Sequence, residues 1–208
     1  RLSTQETPVV QETRSFVSSE NIIYEMTFDK LIWGGDYVAN KTGMYPGHQN
    51  LTVTPDTPAT TVATAGQDGS GDFFNAGMNP AFTADRGLAE WAGSKVYEHP
   101  GYPKMGTGSA LGWIMSPALN FQALGLTEPQ NIFVQFDYCR WDGEQDDIVV
   151  TAENAGSMPE TQLVKDHPKR TWQSIVFKVT DATSETRIKI SGTKAGSNRF
   201  FIDNFRVY

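Results

Sequence analysis

The residues best suited to chemistry are aromatic rings set in turn-rich sequence beside amides and acids. Trp33, Tyr37, Tyr45, Tyr97, Tyr102 and Trp141 are of this kind, with Asp36, Asn40, His48, Asn50, Arg140, Asp142 and Gln145 as polar neighbours. A flat ring stacks on the C–H face of a sugar, while amides, carboxylates and guanidinium groups bond its hydroxyls. Trp33, Asp36, Tyr37, Tyr102, Arg140, Trp141 and Asp142 form the candidate ligand set. Trp141, with Arg140 and Asp142, ends an expected strand, where the loops of a sandwich gather. Trp33-Gly-Gly-Asp-Tyr37 follows the first strand in the same way. Against each ring stands the plainer role of core or rim packing, which most Trp and Tyr in a sandwich serve.

Other chemistries find less support. Cys139, the single cysteine, lies between Tyr138 and Arg140 in strand-like sequence and reads as a buried, inert thiol. His48, His99 and His167 lack the i, i+4 spacing of a zinc helix. Glu90, Glu98, Asp142, Glu144, Asp146 and Asp147 could supply a hydrolytic carboxylate pair, but sequence cannot bring two of them together. The chain has neither a Gly-x-Ser-x-Gly elbow nor a Gly-x-x-x-x-Gly-Lys phosphate loop. Asp146-Asp147 reads as a solvated turn or a weak cation site.

Strands must position these groups. Glycine (19), proline (11) and 12% aromatic residues favour strands and turns over helices. Residues 1–20 are polar and aperiodic and read as a linker or disordered lead-in, and the start at Arg1 reads as a processed or trimmed terminus. The domain itself is expected over 21–208. Its first strand is Asn21–Asp29, with Tyr24, Met26 and Phe28 facing one way. A loop-rich insert spans about 33–85. Strand signals then recur at 87–92, 94–98, 111–116, 131–141, 146–152, 171–180, 186–192 and 199–208, with a turn-rich loop at 99–107 and a short helical turn within 117–126. Ile132, Val134, Phe136 and Tyr138 share one face, and Ile188 and Ile190 alternate with Arg187 and Lys189. This is the mark of antiparallel strands with one wet face. The expectation is an all-β, two-sheet antiparallel sandwich: a jelly roll, concanavalin-like or galactose-binding-like.

With 24 acids against 17 bases and a net charge of −7, the chain suits neither nucleic acid nor an anionic membrane surface. It has no stretch of about 18 apolar residues that would span a bilayer.

The C-terminal half carries an ordered set of pieces: Gly112-Trp-Ile-Met-Ser-Pro-Ala-Leu-Asn120, Phe133-Val-Gln-Phe-Asp-Tyr138, Gly143-Glu-Gln-Asp-Asp-Ile-Val-Val150, Trp172-Gln-Ser-Ile-Val-Phe177 and Phe200-Phe-Ile-Asp-Asn-Phe-Arg-Val207. With the first strand, this order resembles the cleaved-adhesin and MAM-like jelly rolls of secreted bacterial proteins, which are similar to carbohydrate-binding modules. The resemblance implies a non-catalytic module that binds a glycan or a surface protein. It also implies a place at the cell surface, outside the cell or in the periplasm, within a larger chain or on a lipid anchor. It further implies a structural calcium held by Asp203 on the last strand and by Glu25 and Asp29 on the first, the two strands being neighbours. The alternatives are an adhesion or spacer domain without a small ligand, and a glycoside hydrolase or lyase on the same fold.

Overall fold

A computed structural model describes residues 22–31, 72–74, 80–99, 101–141, 144, 147–158, 162–164 and 171–208. The described chain forms two antiparallel sheets. The first is six-stranded, in the order β3 (Val96–His99), β4 (Tyr102–Met105), β11 (Phe200–Val207), β6 (Gln130–Arg140), β9 (Gln173–Ala182), with β1 (Tyr24–Met26) also pairing β11. The second is five-stranded, in the order β2 (Ala92–Ser94), β5 (Trp113–Met115), β10 (Arg187–Gly192), β7 (Ile148–Glu153), β8 (Gln162–Val164). From β5 to β6, β6 to β7, β8 to β9, β9 to β10 and β10 to β11 the chain changes sheet, the crossing habit of a jelly roll.

Period-two patterning builds the core. Ile132, Val134, Phe136 and Tyr138 of β6, Phe177 and Val179 of β9, and Ile188 and Ile190 of β10 are all buried between the sheets. Each such side chain contributes about 1.5–3 kcal/mol on leaving water. In β11 the inward residues are Phe200, Ile202, Phe205 and Val207, so the spacing jumps from two to three after Ile202. A bulge absorbs the extra residue: the β11–β6 register shifts between Asp203 and Arg206, and Asn204 takes φ 49°. Asparagine tolerates that left-handed region better than most residues.

β1 lies beside β11 as expected, with Tyr24, Glu25 and Met26 opposite Val207, Arg206 and Phe205. The first strand is shorter than its alternation suggests. Phe28 leaves the ladder at φ 59° to put its ring in the core at 1% exposure, and Asp29 is left in an exposed turn.

Three local expectations need correcting. The stretch 87–91 is a turn leaving a short helix, α1 (Pro80–Asp85), not a strand, and that helix falls in sequence expected to be loop. Part of the expected loop 99–107 is β4. Pro103 obscures it, yet Pro103 lies beyond Lys104 and Met105, the two positions of β4 that pair with β11. Proline is tolerated where a ladder stops. The helical turn expected in 117–126 is present as a 3₁₀ turn at Phe121–Leu124.

Asp72 fixes the β2–β3 corner. Its carboxylate accepts the backbone N–H groups of Phe74, Lys95 and Val96 at 3.2, 2.8 and 3.1 Å. Lys95 can therefore hold φ 57° at the turn.

Candidate ligand-binding site

The outer face of the six-stranded sheet, turned away from the core, has two ends of opposite character. At one end Tyr102, Cys139, Trp141 and Phe201 form a second buried cluster, with Trp172 packed against it. Tyr102 stands edge-on to Phe201 and Trp172 at centroid distances of 5.1 and 5.2 Å, and Trp141 stacks on Phe201 at 5.7 Å. The Arg199 guanidinium lies 4.1 Å from the Trp141 ring centre, and Lys104 Nζ lies 5.3 Å from it. Arg199 also bonds Glu144 through Nε, Nη2 and its backbone N–H.

This geometry redefines the sequence candidates. Tyr102 is a fully buried strand residue rather than a loop ring, and Trp141 keeps only 3% of its surface. Neither presents an open face for stacking. Arg140 pairs with Phe200 in the β6–β11 ladder, in phase with the core-facing residues of β6, so it and Trp141 lie on opposite faces. Trp33, Asp36, Tyr37 and Asp142 lie outside the described residues.

Cys139 is buried as expected, and burial pushes its thiol up to about 12. Because the thiolate is the reactive form, Cys139 should resist maleimide in the native protein at mildly alkaline pH and react promptly once denaturant is added. Fast labelling of folded protein would contradict this placement.

The three acids expected on calcium are not gathered. Among the described residues no three His, Cys, Asp or Glu side chains converge on a point that could hold a metal ion. Glu25 is bonded by Arg206, its cross-strand neighbour, with Nε to Oε1 at 2.6 Å. Asp29 is exposed in the turn beyond β1. Asp203, 3% exposed, accepts the Asn204 N–H at 2.7 Å and stands opposite Asp137, whose Oδ2 accepts Asn204 Nδ2 at 2.9 Å.

Two of the acids considered for hydrolysis are engaged in ion pairs. Glu98 is fully buried and bonded by Arg86 Nε at 2.7 Å, and Glu144 is held by Arg199. Glu90 is exposed. These contacts tie Glu98 and Glu144 to structural cations.

The opposite end of the same face is open. Phe133 is 43% exposed and stacks on Tyr208, centroids 5.8 Å apart and planes 27° from parallel. The two residues exchange backbone hydrogen bonds of 2.7 and 3.0 Å across β6 and the end of β11, so the backbone fixes the pair. Around it the face is mostly polar, with Val176 exposed among the polar groups. Gln135 accepts from the Tyr208 hydroxyl at 3.4 Å and donates to Ser174 Oγ at 3.1 Å. Arg206 and Val176 flank Gln135 in register, and Lys178 stands directly opposite Phe133. From Phe133 to Asp137 along β6 the track runs roughly 14 Å at a rise of about 3.4 Å per residue.

Reading the sequence for loop aromatics misses this pair. The signal lies in the alternation itself: Phe133 is an aromatic out of phase with Ile132, Val134, Phe136 and Tyr138, hence on the wet face. Tyr208 is out of phase with Phe205 and Val207 in the same way.

No family model matches the chain, and no curated protein matches it. Among solved structures it is similar to the xylan-binding domain CBM22-1 of Xyn10C from Paenibacillus barcinonensis, with a TM-score of 0.40 and 13% identity over 57% of this chain and 85% of that one. It is also similar to TmCBM61 in complex with β-1,4-galactotriose, with a TM-score of 0.41 and 12% identity over 58% of this chain and 89% of that one. A third likeness is to the K1 cleaved adhesin domain of Lys-gingipain from Porphyromonas gingivalis W83, with a TM-score of 0.38 and 14% identity over 57% of this chain and 82% of that one.

Proposed function

We propose that the chain is a non-catalytic carbohydrate-binding module that works outside the cytoplasm, and that Phe133 and Tyr208 are its stacking platform. The observation that carries this reading is a stacked aromatic pair, with Phe133 exposed and Tyr208 half-buried, on a sheet face where amide, hydroxyl and charged groups lie alongside the exposed Val176. Taking such a ring face out of water is favourable, and a sugar C–H face fits it. Gln135, Ser174, Asp137 and Asn204 supply donors and acceptors within the same track. The pairings of Glu98 with Arg86 and of Glu144 with Arg199 favour binding without turnover.

A glycan array probed with the wild type and with Phe133→Ala tests the reading. The variant should lose about tenfold or more in affinity for whatever the wild type retains, since a stacked ring contributes roughly 1–2 kcal/mol. Its melting temperature should hold, because Phe133 lies outside the core. Equal retention of both proteins would count against the platform.

One observation favours a protein partner as a second reading. β9 pairs only with β6 along its length, apart from the bridge between Thr180 and Ser157, so among the described residues its outer edge is open to strand addition. Val176 on that strand is 49% exposed. An adhesion role predicts that Val176→Lys weakens partner capture and leaves glycan retention unchanged.

A further inference from the structure

We infer that the Phe133–Tyr208 platform prefers sugars carrying a carboxylate, that is, hexuronates over their parent hexoses. This rests on the carbohydrate reading above and adds the charge class of the ligand. Of the acids on this face, Glu25 is ion-paired with Arg206, while Asp137 and Asp203 accept from the neutral Asn204 amide and N–H and keep their charge two or more residues along from the Phe133 row.

Lys178, the cation in the same row as Phe133, is not paired in this way. Lys178 is exposed, stands opposite Phe133 and makes no ion pair among the described residues. Directly opposed residues in an antiparallel ladder have Cβ atoms about 4.5–5.5 Å apart, so the ammonium is tethered next to the ring. Arg206, on the other side of Gln135, gives only Nε to Glu25, and its two Nη groups have no partner among the described residues. Lys178 and Arg206 thus lie diagonally across the ring pair, two strands and two residues apart, at about 12 Å. A pyranose stacked on Phe133 would place a ring carboxylate within reach of one cation. The guanidinium adds a geometry that carboxylates accept from two donors at once.

The test uses matched pairs: glucose with glucuronate, galactose with galacturonate and mannose with mannuronate. Each is titrated into the whole chain while the amide resonances of Phe133, Lys178 and Arg206 are followed by NMR. At least one uronate should shift these resonances at about fivefold lower concentration than its parent hexose. That advantage should fade between roughly 0.1 and 1 M salt, as the Debye length falls from about 10 to about 3 Å. Lys178→Gln should remove about two- to fivefold of the uronate affinity and leave the hexose unchanged, while Lys178→Arg retains it. Equal or better binding of every hexose overturns the charge preference and leaves the carbohydrate reading standing. If no member of any pair moves the platform resonances, both fall.

Discussion

Replacing Arg86 by alanine is expected to destabilise the fold by about 3–5 kcal/mol, because it leaves a buried carboxylate without its cation. Arg86 and Glu98 have no exposed side-chain surface and meet at 2.7 Å, with Asp85 completing the bridge at 2.6 Å. Glu98 lies on the edge strand β3 and cannot reach water without unpacking the sheet. For a domain of this size the loss corresponds to a fall in melting temperature of roughly 6–20 °C. The paired change Arg86→Met with Glu98→Leu removes both charges and should recover most of the loss. Calorimetry on the three proteins separates the outcomes. A double variant as unstable as Arg86→Ala would mean the residues matter for shape rather than for charge.

The second large effect is expected at Gly112, which precedes β5. A Cβ there would sit 1.9 Å from the backbone nitrogen of Gly106 and 2.6 Å from the carbonyl carbon of Met105. Backbone cannot step aside as a flexible side chain can, so Gly112→Ala should cost more than about 3 kcal/mol or prevent folding. Gly112 also accepts the Gly192 N–H at 2.9 Å, so displacement would disturb the end of β10. The control is Gly108→Ala, where a Cβ meets nothing within 4 Å and the melting temperature should barely move. Comparable behaviour of the two variants would refute the close approach.

What the sequence discloses follows the range of the interaction that fixes each element. The alternation of Ile132 to Tyr138 and of Arg187 to Ile190 is local, and both segments are strands with the expected faces inward. The adjacency of β1 and β11 was expected from the resemblance and is present. β4 is hidden because Gly101 and Pro103 are turn residues by local rules, while the pairing with β11, more than ninety positions away, decides the matter at long range. α1 escaped because six residues give too little periodicity to read. The burial of Tyr102 and Trp141 depends on Phe201, about 60 or more positions away in the chain. No local pattern could reveal that their faces are closed. Phe133 is legible in the alternation, since an aromatic on the wet side of such a strand has no core to pack against.

On the carbohydrate reading a sugar ring lies over Phe133 and Tyr208. A crystal structure of the chain with the best ligand from the array tests this most directly. The account predicts a pyranose face parallel to the Phe133 ring, with its hydroxyls within hydrogen-bond distance of Gln135 or Ser174. A ligand seated at the Trp141 end, or on the outer face of the five-stranded sheet beside Trp113, with Phe133 still open to solvent, would contradict it.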